Sequence, residues 1–304
     1  MNGLEYYNKR EYLSISSLCA FARCPRRYFY SSGCRLKDGP PHSALLFGEA
    51  IHKAFPLAVL SGVQEAMRAF DTVWDDANAD DKRNRDKATL MLADVHHSHK
   101  GARSLYELLE PPGGALEIED RVSDYEVPFA IDIGLDVPLV GRIDGLVRHR
   151  DTKELFGLEI KTSQEVSGRY FDQYQIHPQP QGYTLALRQL VEEPVAGVIV
   201  EALRVSKTPR VETLPHPIRV SDFELKDFVT WAHFIGSQLL ECERLGEFPK
   251  APSGCATYAM FGQSGFVCDF QRLCKVEDWT TMADTFEVGN DRPFVMPTIK
   301  KTEQ

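Results

Sequence analysis

The chain has 304 residues, 43% hydrophobic and 26% charged, with 18 Pro and 21 Gly, a composition that excludes disordered, collagen-like and membrane-embedded classes. No uninterrupted apolar run approaches the roughly 18 residues of a spanning helix, and the opening MNGLEYYNKREYLS lacks a secretory apolar core, so a cytoplasmic protein without membrane partners is expected. With 35 basic and 44 acidic residues the net charge is −9, which argues against non-specific coating of nucleic acid but is compatible with carboxylates gathered around a divalent cation.

In chain order, residues 14–30, SISSLCAFARCPRRYFY, open with Ser candidates for an N-cap and then carry Leu18, Phe21 and Ala22 at helical spacing, which predicts a helix with a basic, aromatic end. Around Cys24, the residues Arg23, Arg26, Arg27, Tyr28 and Tyr30 form a candidate strand-binding surface, with Arg on phosphates and rings under bases. A second helix is predicted from about Ala44 to Leu60, and residues 62–109 read as helical with breaks. Within them HHSHKG, with His96, His97 and His99, reads as a surface loop rather than a metal tract. From Leu116 to Ile160 the pattern changes to short β-rich runs between turn residues. The segment SDFELKDFVTWAHFIGSQLLECERL starts with a capping box, Ser221 and Glu224, and places Phe228, Trp231, Ile235 and Leu239 on one core-facing stripe.

The chemistry gathers in VGRIDGLVRHRDTKELFGLEIKTS, which reads as a hairpin turning near Asp151 and Thr152. Folded symmetrically there, Asp144 faces Glu159, Arg142 faces Lys161, Ile143 faces Ile160 and Val147 faces Phe156. Strand alternation then puts Ile143, Val147, Phe156, Leu158 and Ile160 on an apolar face, and Asp144, Glu159 and Lys161 on the other. Two opposed carboxylates repel unless a cation lies between them, so this face is a candidate Mg²⁺ or Mn²⁺ site with an ammonium beside it, the arrangement phosphodiester hydrolysis needs. An isolated D…ExK match is also compatible with solvated residues on the wet face of a hairpin.

Further elements accompany it in order: GEAIH around His52, GRID ending at Asp144, EIK at Glu159 to Lys161, and Gln179-x-x-x-Tyr183. Together these resemble the RecB-like branch of the PD-(D/E)XK nuclease superfamily, over about Ser14 to Lys275. The resemblance implies an α/β fold, a mixed sheet flanked by helices. It implies that His52, Asp144, Glu159 and the backbone carbonyl of Ile160 bind the catalytic metal and that Lys161 assists catalysis. Gln179 and Tyr183 then hold DNA or support the site. Pro178 and Pro180 flank Gln179 in HPQPQGY, which sets it at the very start of its helix.

Seven cysteines, an odd number without an export signal, point away from disulfides and toward metal ligation or buried thiols. Cys24 in CPRRYFY, followed after the nuclease motifs by Cys255, Cys268 and Cys274, resembles the iron-sulfur nucleases of the same branch: AddB-type nuclease domains and exonucleases encoded beside CRISPR adaptation genes and in phages. By that resemblance the four thiolates bind a 4Fe-4S cluster that ties the two chain ends together. The 12 residues between Cys255 and Cys268 are a longer gap than relatives usually show. A four-cysteine zinc site is the rival, although the paired short spacings of zinc ribbons are absent. Cys19, Cys34 and Cys242 have no partner pattern and are taken as structural.

The expected organisation is a single nuclease domain over 1–304. It comprises a helical part at 14–110 with Cys24 and His52, a catalytic sheet core at 111–220, a helix and cysteine segment at 221–280, and a tail at 281–304. The function implied is metal-dependent DNA cleavage, exonucleolytic and on single-stranded ends, in phage or prokaryotic recombination, repair or CRISPR adaptation. No GxxxxGK[ST] motif occurs, so any unwinding falls to a partner helicase. The alternatives are a catalytically idle nuclease fold serving as a DNA-binding or assembly subunit, and a zinc-stabilised nucleic-acid-binding module.

Overall fold

The computed structural model describes residues 11–39, 43–101, 104–112, 123–207, 213–251, 254–257 and 266–288. In chain order the elements begin with β1 (Leu13–Ser14), α1 (Ile15–Arg23), α2 (Pro25–Tyr28), β2 (Leu36–Lys37), α3 (Ser43–Leu60), α4 (Val63–Phe70), α5 (Arg85–Ser98) and β3 (Tyr106–Leu109). Then follow β4 (Val127–Ile131), β5 (Leu139–Ile143), β6 (Gly145–His149), β7 (Leu155–Ser163), α6 (Gly168–Gln175), α7 (Pro178–Leu190), β8 (Val195–Arg204) and β9 (Thr213–Arg219). The chain continues through α8 (Asp222–Leu245), β10 (Ala256–Thr257), β11 (Phe266–Val267) and β12 (Glu287–Val288). The fold is α/β, as expected, and it divides into two compact units. One gathers Met1–Pro41, Ala130–Val140 and Asp227–Phe294; the other gathers His42–Phe129, Gly141–Lys226 and Val295–Gln304.

The second unit is built on a five-stranded sheet, β3-β6-β7-β8-β9, in which β7 and β8 are parallel and every other pair is antiparallel. A parallel pair needs a crossover, and α6 and α7 supply it. The β6–β7 hairpin adopts the expected register: Gly145 pairs with Leu158, Val147 with Phe156 and Arg148 with Leu155. Val147, Phe156, Leu158 and Ile160 join residues of α3, α4 and α5 in one buried core. Gly197 on β8, at φ +156°, is required to be glycine, since a Cβ there would lie 1.9 Å from the Ile218 carbonyl oxygen.

The hairpin does not extend upstream of Gly145, so the expected pairing of Asp144 with Glu159 does not form. β5 belongs to a three-stranded sheet ordered β1-β5-β4, so Ile143 and Arg142 do not pair with Ile160 and Lys161. Ile143 also changes face: its Cγ2 comes within 3.4 Å of where a Gly157 Cβ would stand, on the side of β7 that carries Glu159 and Lys161. Both faces of the hairpin are thereby packed.

Two further expectations are corrected. Residues 106–109 form the edge strand β3 rather than helix, held by pairing with β6. His96 and His97 lie in the last turn of α5, with His96 Nδ1 2.8 Å from the Ala58 carbonyl, and His99 is buried, so HHSHKG is no surface loop. Helix α3 is by length and composition apolar enough to cross a bilayer, although Glu49, His52 and Lys53 interrupt its apolar run. Its Phe47, Ala50, Ile51, Ala54, Phe55 and Ala58 are all spent on the protein core.

In the first unit, α1 is capped by a box in which Ser14 and Ser17 satisfy each other's backbone N–H groups. Cys24, in extended conformation, breaks the helix before Pro25 restarts it as α2. Tyr28, Phe29 and Tyr30 are buried: Phe29 lies 4.8 Å from Phe248 and Tyr30 lies 5.2 Å from Trp279, ring centre to ring centre. Its tyrosines therefore belong to the core and not to a base-stacking surface. The Ser221–Glu224 capping box starts α8, where Phe228 and Leu239 are buried as expected. Residues 113–122 and 289–304, which carry the start of the β-rich region and most of the expected tail, lie outside the described residues.

Candidate active site

β6 begins only at Gly145, whereas β7 continues from Glu159 to Ser163 beyond the last hairpin pair, leaving that edge of β7 without a strand beside it among the described residues. Asp144 sits in the bend just before β6, and its Oδ2 accepts the Ile160 N–H at 2.7 Å, so a carboxylate takes the place that a strand carbonyl would hold. In an extended strand the N–H and C=O of one residue project to the same edge, so the Ile160 carbonyl is directed to the Asp144 side. The other carboxylate oxygen, Asp144 Oδ1, is 3.3 Å from His52 Nδ1 on α3.

Glu159 is only 3% exposed. Its Oε1 accepts a hydrogen bond from Gln179 Nε2 at 2.8 Å and is in contact with Lys161 Nζ, which shares its face of β7. Gln179 stands in the first turn of α7, as the flanking prolines predict, and its Nε2 also donates to the Tyr183 hydroxyl at 2.9 Å, one helical turn on. His177 caps the helix by accepting the Gln179 N–H. The seven catalytic and metal-site residues predicted from sequence therefore fall in the second unit and form a connected cluster.

The electrostatics are those of a site short of positive charge. Burial pushes the Glu159 carboxyl up to about 7, the Asp144 carboxylate adds to the rise, and Lys161 opposes it. Burial would also raise Asp144, but His52 and the Ile160 N–H hold it below the usual range. Burial alone would lower His52, and Asp144 outweighs it, so the imidazole is raised. Oxygen donors from two carboxylates and a carbonyl, with one imidazole, suit Mg²⁺ or Mn²⁺. Among the described residues no three ligand side chains already converge as a ready-made metal group. In this arrangement the Glu159 oxygen is turned to Lys161 and Gln179.

A cleft of about 500 Å³ opens beside the cluster. One wall is α3, with Leu45, Gly48 and His52; the other is the free end of β7, Lys161 to Gln164. Arg83 and the buried Glu126 also line it, and neither was singled out in the sequence. Arg83 lies in the hydrophilic tract DDKRN, which looks like any solvated loop, and Glu126 is an isolated acid ahead of a short strand. Only tertiary packing identifies them.

The cysteines are all free thiols, and Cys24, Cys255, Cys268 and Cys274 lie in the first unit. The Ala251 N–H meets Cys24 Sγ at 3.5 Å, the Cys255 thiol donates to the Ala251 carbonyl at 3.7 Å, and the Cys268 N–H donates to the Cys255 carbonyl at 2.9 Å. Burial raises the Cys274 thiol, Lys250 and Arg26 pull it down, and Cys255 and Cys24 raise it further. Residues 227 positions apart in sequence are thus neighbours in space.

Comparison with known proteins returns a family model described as the PD-(D/E)XK nuclease superfamily, matched over residues 12–275. No curated protein matches the sequence. Among solved structures, an Eubacterium rectale protein, itself only provisionally named an exonuclease, is similar at 13% identity with a TM-score of 0.49, covering 79% of this chain and 85% of that one. The structure of SSO0001 is similar at 14% identity with a TM-score of 0.33, covering 76% of this chain and 78% of that one.

Proposed function

The chain belongs to the PD-(D/E)XK nuclease superfamily, and from that premise we propose that it is a divalent-metal-dependent DNA exonuclease of the RecB-like, iron-sulfur branch, acting on single-stranded ends. The observation that carries this reading is the pair of a half-buried Asp144 and a buried Glu159, with Lys161, in contact with Glu159, lining the adjoining cleft. Asp144, Glu159, the Ile160 carbonyl and His52 would hold Mg²⁺ or Mn²⁺. Such a cation supplies charge neutralisation at the phosphate as the phosphodiester is attacked. Lys161, released from Glu159 when that carboxylate turns to a cation, would hold the attacking water or a phosphate oxygen. Gln179 and Tyr183 keep the Glu159 carboxylate oriented.

The same reading gives Cys24, Cys255, Cys268 and Cys274 to a structural 4Fe-4S cluster. Arg27 beside Cys268, and Lys250 and Arg26 beside Cys274, suit an anionic cluster, since the cations would offset its charge. Iron and acid-labile sulfide assays on anaerobically purified protein, compared with Cys24→Ser, separate this from zinc. A colourless, zinc-containing protein would defeat it. A setting in phage or prokaryotic recombination, repair or CRISPR adaptation, with any unwinding supplied by a separate helicase, completes the proposal.

The deciding experiment is degradation of end-labelled single-stranded and double-stranded DNA with Mg²⁺ or Mn²⁺, comparing wild type with Asp144→Ala and Lys161→Ala. Cleavage by wild type alone, with a ladder growing from one end, supports the exonuclease. DNA binding without cleavage by wild type would sink it in favour of an idle nuclease fold.

A further inference from the structure

We infer that Arg83 is a phosphate anchor of the cleft, gripping a nucleic-acid phosphate that neighbours the one being cut; this rests on the nuclease reading of the Asp144–Glu159 site. The observation is an arginine held in place where it faces a cleft instead of bulk water. Arg83 lines the same cavity as His52 and Lys161, and its side chain is only 15% exposed. Among the described residues Asp80 is its sole hydrogen-bond partner, taking Nη1 at 2.7 Å. A guanidinium carries five N–H donors, so most of this one is left to be satisfied from within the cleft.

The loop that carries it is built to hold it still. Asp80 Oδ1 accepts the backbone N–H groups of Lys82 and Arg83, each at 2.7 Å, while Asp80 N–H donates to the Arg83 carbonyl at 2.8 Å. Ser43 at the start of α3 donates its hydroxyl to Asp80 at 3.2 Å, and Lys82 Nζ reaches Gln164 Oε1 at 2.6 Å. The loop is therefore latched to both walls of the cleft, the helix that carries His52 and the strand that carries Lys161. An anchored planar fork is what bidentate phosphate recognition asks for, because little side-chain entropy remains to be lost on binding.

The rest of the lining fits a nucleotide. Leu45, 68% exposed, and Val205 offer apolar surface for a sugar or base, while Arg83 and Lys161 bring positive charge. Two carboxylates also line the cleft: Glu126, whose charge is met by Arg142 at 3.7 Å, and Glu49 on the exposed side of α3. A cavity of this volume is roughly 10 Å across, within the usual range of ligand sites, and its lining holds both Arg83 and Lys161, the latter in contact with Glu159.

The test uses full-length protein and fluorescent oligothymidylate, with and without a 5′-phosphate. Binding is followed as a function of salt in a Lys161→Ala background, so that the strand is not cut. Arg83→Gln should weaken binding about tenfold and lower the salt slope by about 0.7, the share of one phosphate contact on a single strand. Arg83→Lys, which keeps the charge but not the fork, should restore the slope and only part of the affinity. In the cleavage-competent protein, Arg83→Gln should raise KM with kcat little changed. An unaltered salt slope, or a fall in kcat at constant KM, overturns the anchor while leaving the nuclease reading intact. Wild type that neither binds nor cuts the oligonucleotide overturns both. If the gain from a 5′-phosphate disappears in Arg83→Gln, the anchored group is the terminal phosphate; if the gain persists while affinity falls, it is an internal one.

Discussion

Gln179 joins the two halves of the candidate site: one amide nitrogen lies 2.8 Å from Glu159 Oε1 and 2.9 Å from the Tyr183 hydroxyl. An acid buried next to another acid needs outside help to stay ionised and aimed, and Gln179 donates to it without adding charge. Tyr183 is pushed well above the usual phenol range by burial and by the carboxylates near it, so it remains a neutral hydroxyl. Truncating the amide should therefore act on the metal site through Glu159. Gln179→Ala is expected to lower cleavage and Mn²⁺ affinity together by about 10- to 100-fold, the usual effect of removing a ligand's supporting partner, while Tyr183→Phe costs less. Titration of Mn²⁺ by electron paramagnetic resonance checks this; unchanged metal affinity in Gln179→Ala would show that the contact does not orient Glu159.

The glycine that opens GRID has a steric reason to be glycine. A Cβ at Gly141 would stand 2.5 Å from the Phe129 ring, and Phe129 in turn packs edge-on against Tyr183, 6.0 Å between ring centres. Gly141→Ala must displace an aromatic ring buried behind the site, a change that typically costs about 1–3 kcal/mol. Urea unfolding reads the stability loss directly. Gly141→Ala with wild-type stability would mean that Phe129 has room to move, and Gly141→Ala/Phe129→Leu should recover part of the loss by making that room.

The hairpin register and the helix start at Gln179 were legible because both are local: turn residues and alternation set the first, and flanking prolines set the second. What pattern could not carry is contact between distant segments. Ile143 and Arg142 look like a continuation of the hairpin, yet the chain bends at Asp144 and enters another sheet. HHSHK looks hydrophilic, yet His99 is buried between a near partner and a distant one: Ser104 Oγ, five residues on, is 3.0 Å from Nδ1, and Glu201, on β8, comes within 3.5 Å of Nε2. Arg83 and Glu126 carry no motif, and only the folding of α3 against the end of β7 brings them to the cleft.

That buried group makes its own prediction. Tyr106 donates its hydroxyl to Glu201 Oε2 at 2.9 Å, and Glu201 is wholly buried in the core behind the sheet. Removing the phenol oxygen strips a hydrogen bond from a carboxyl that water cannot reach, so Tyr106→Phe should destabilise the protein by about 1–3 kcal/mol. The double variant Tyr106→Phe/Glu201→Leu removes both polar partners and should be closer to wild type than the single change suggests. Denaturant midpoints of the two single variants and the double variant close the cycle; strict additivity would show that the two groups do not depend on each other.

The Asp80 loop predicts an acid transition of known sign. Although burial acts to raise Asp80, the backbone N–H groups of Lys82 and Arg83 and the Arg83 guanidinium outweigh it and hold its carboxyl at about 2, below the usual Asp value of 3.8. A group whose pKa is lower folded than unfolded adds stability that is complete above its unfolded value and is lost as pH falls through the folded one. The loop should thus stay closed at pH 4, where ordinary carboxylates are half protonated, and open only as pH approaches about 2. Carboxyl carbon shifts followed by NMR report the titration of Asp80 directly, and Arg83→Gln should move its midpoint upward by removing the guanidinium. Titration of wild-type Asp80 near 3.8 would mean that the loop is not closed around Asp80 in solution, and would free Arg83 from the cleft it lines.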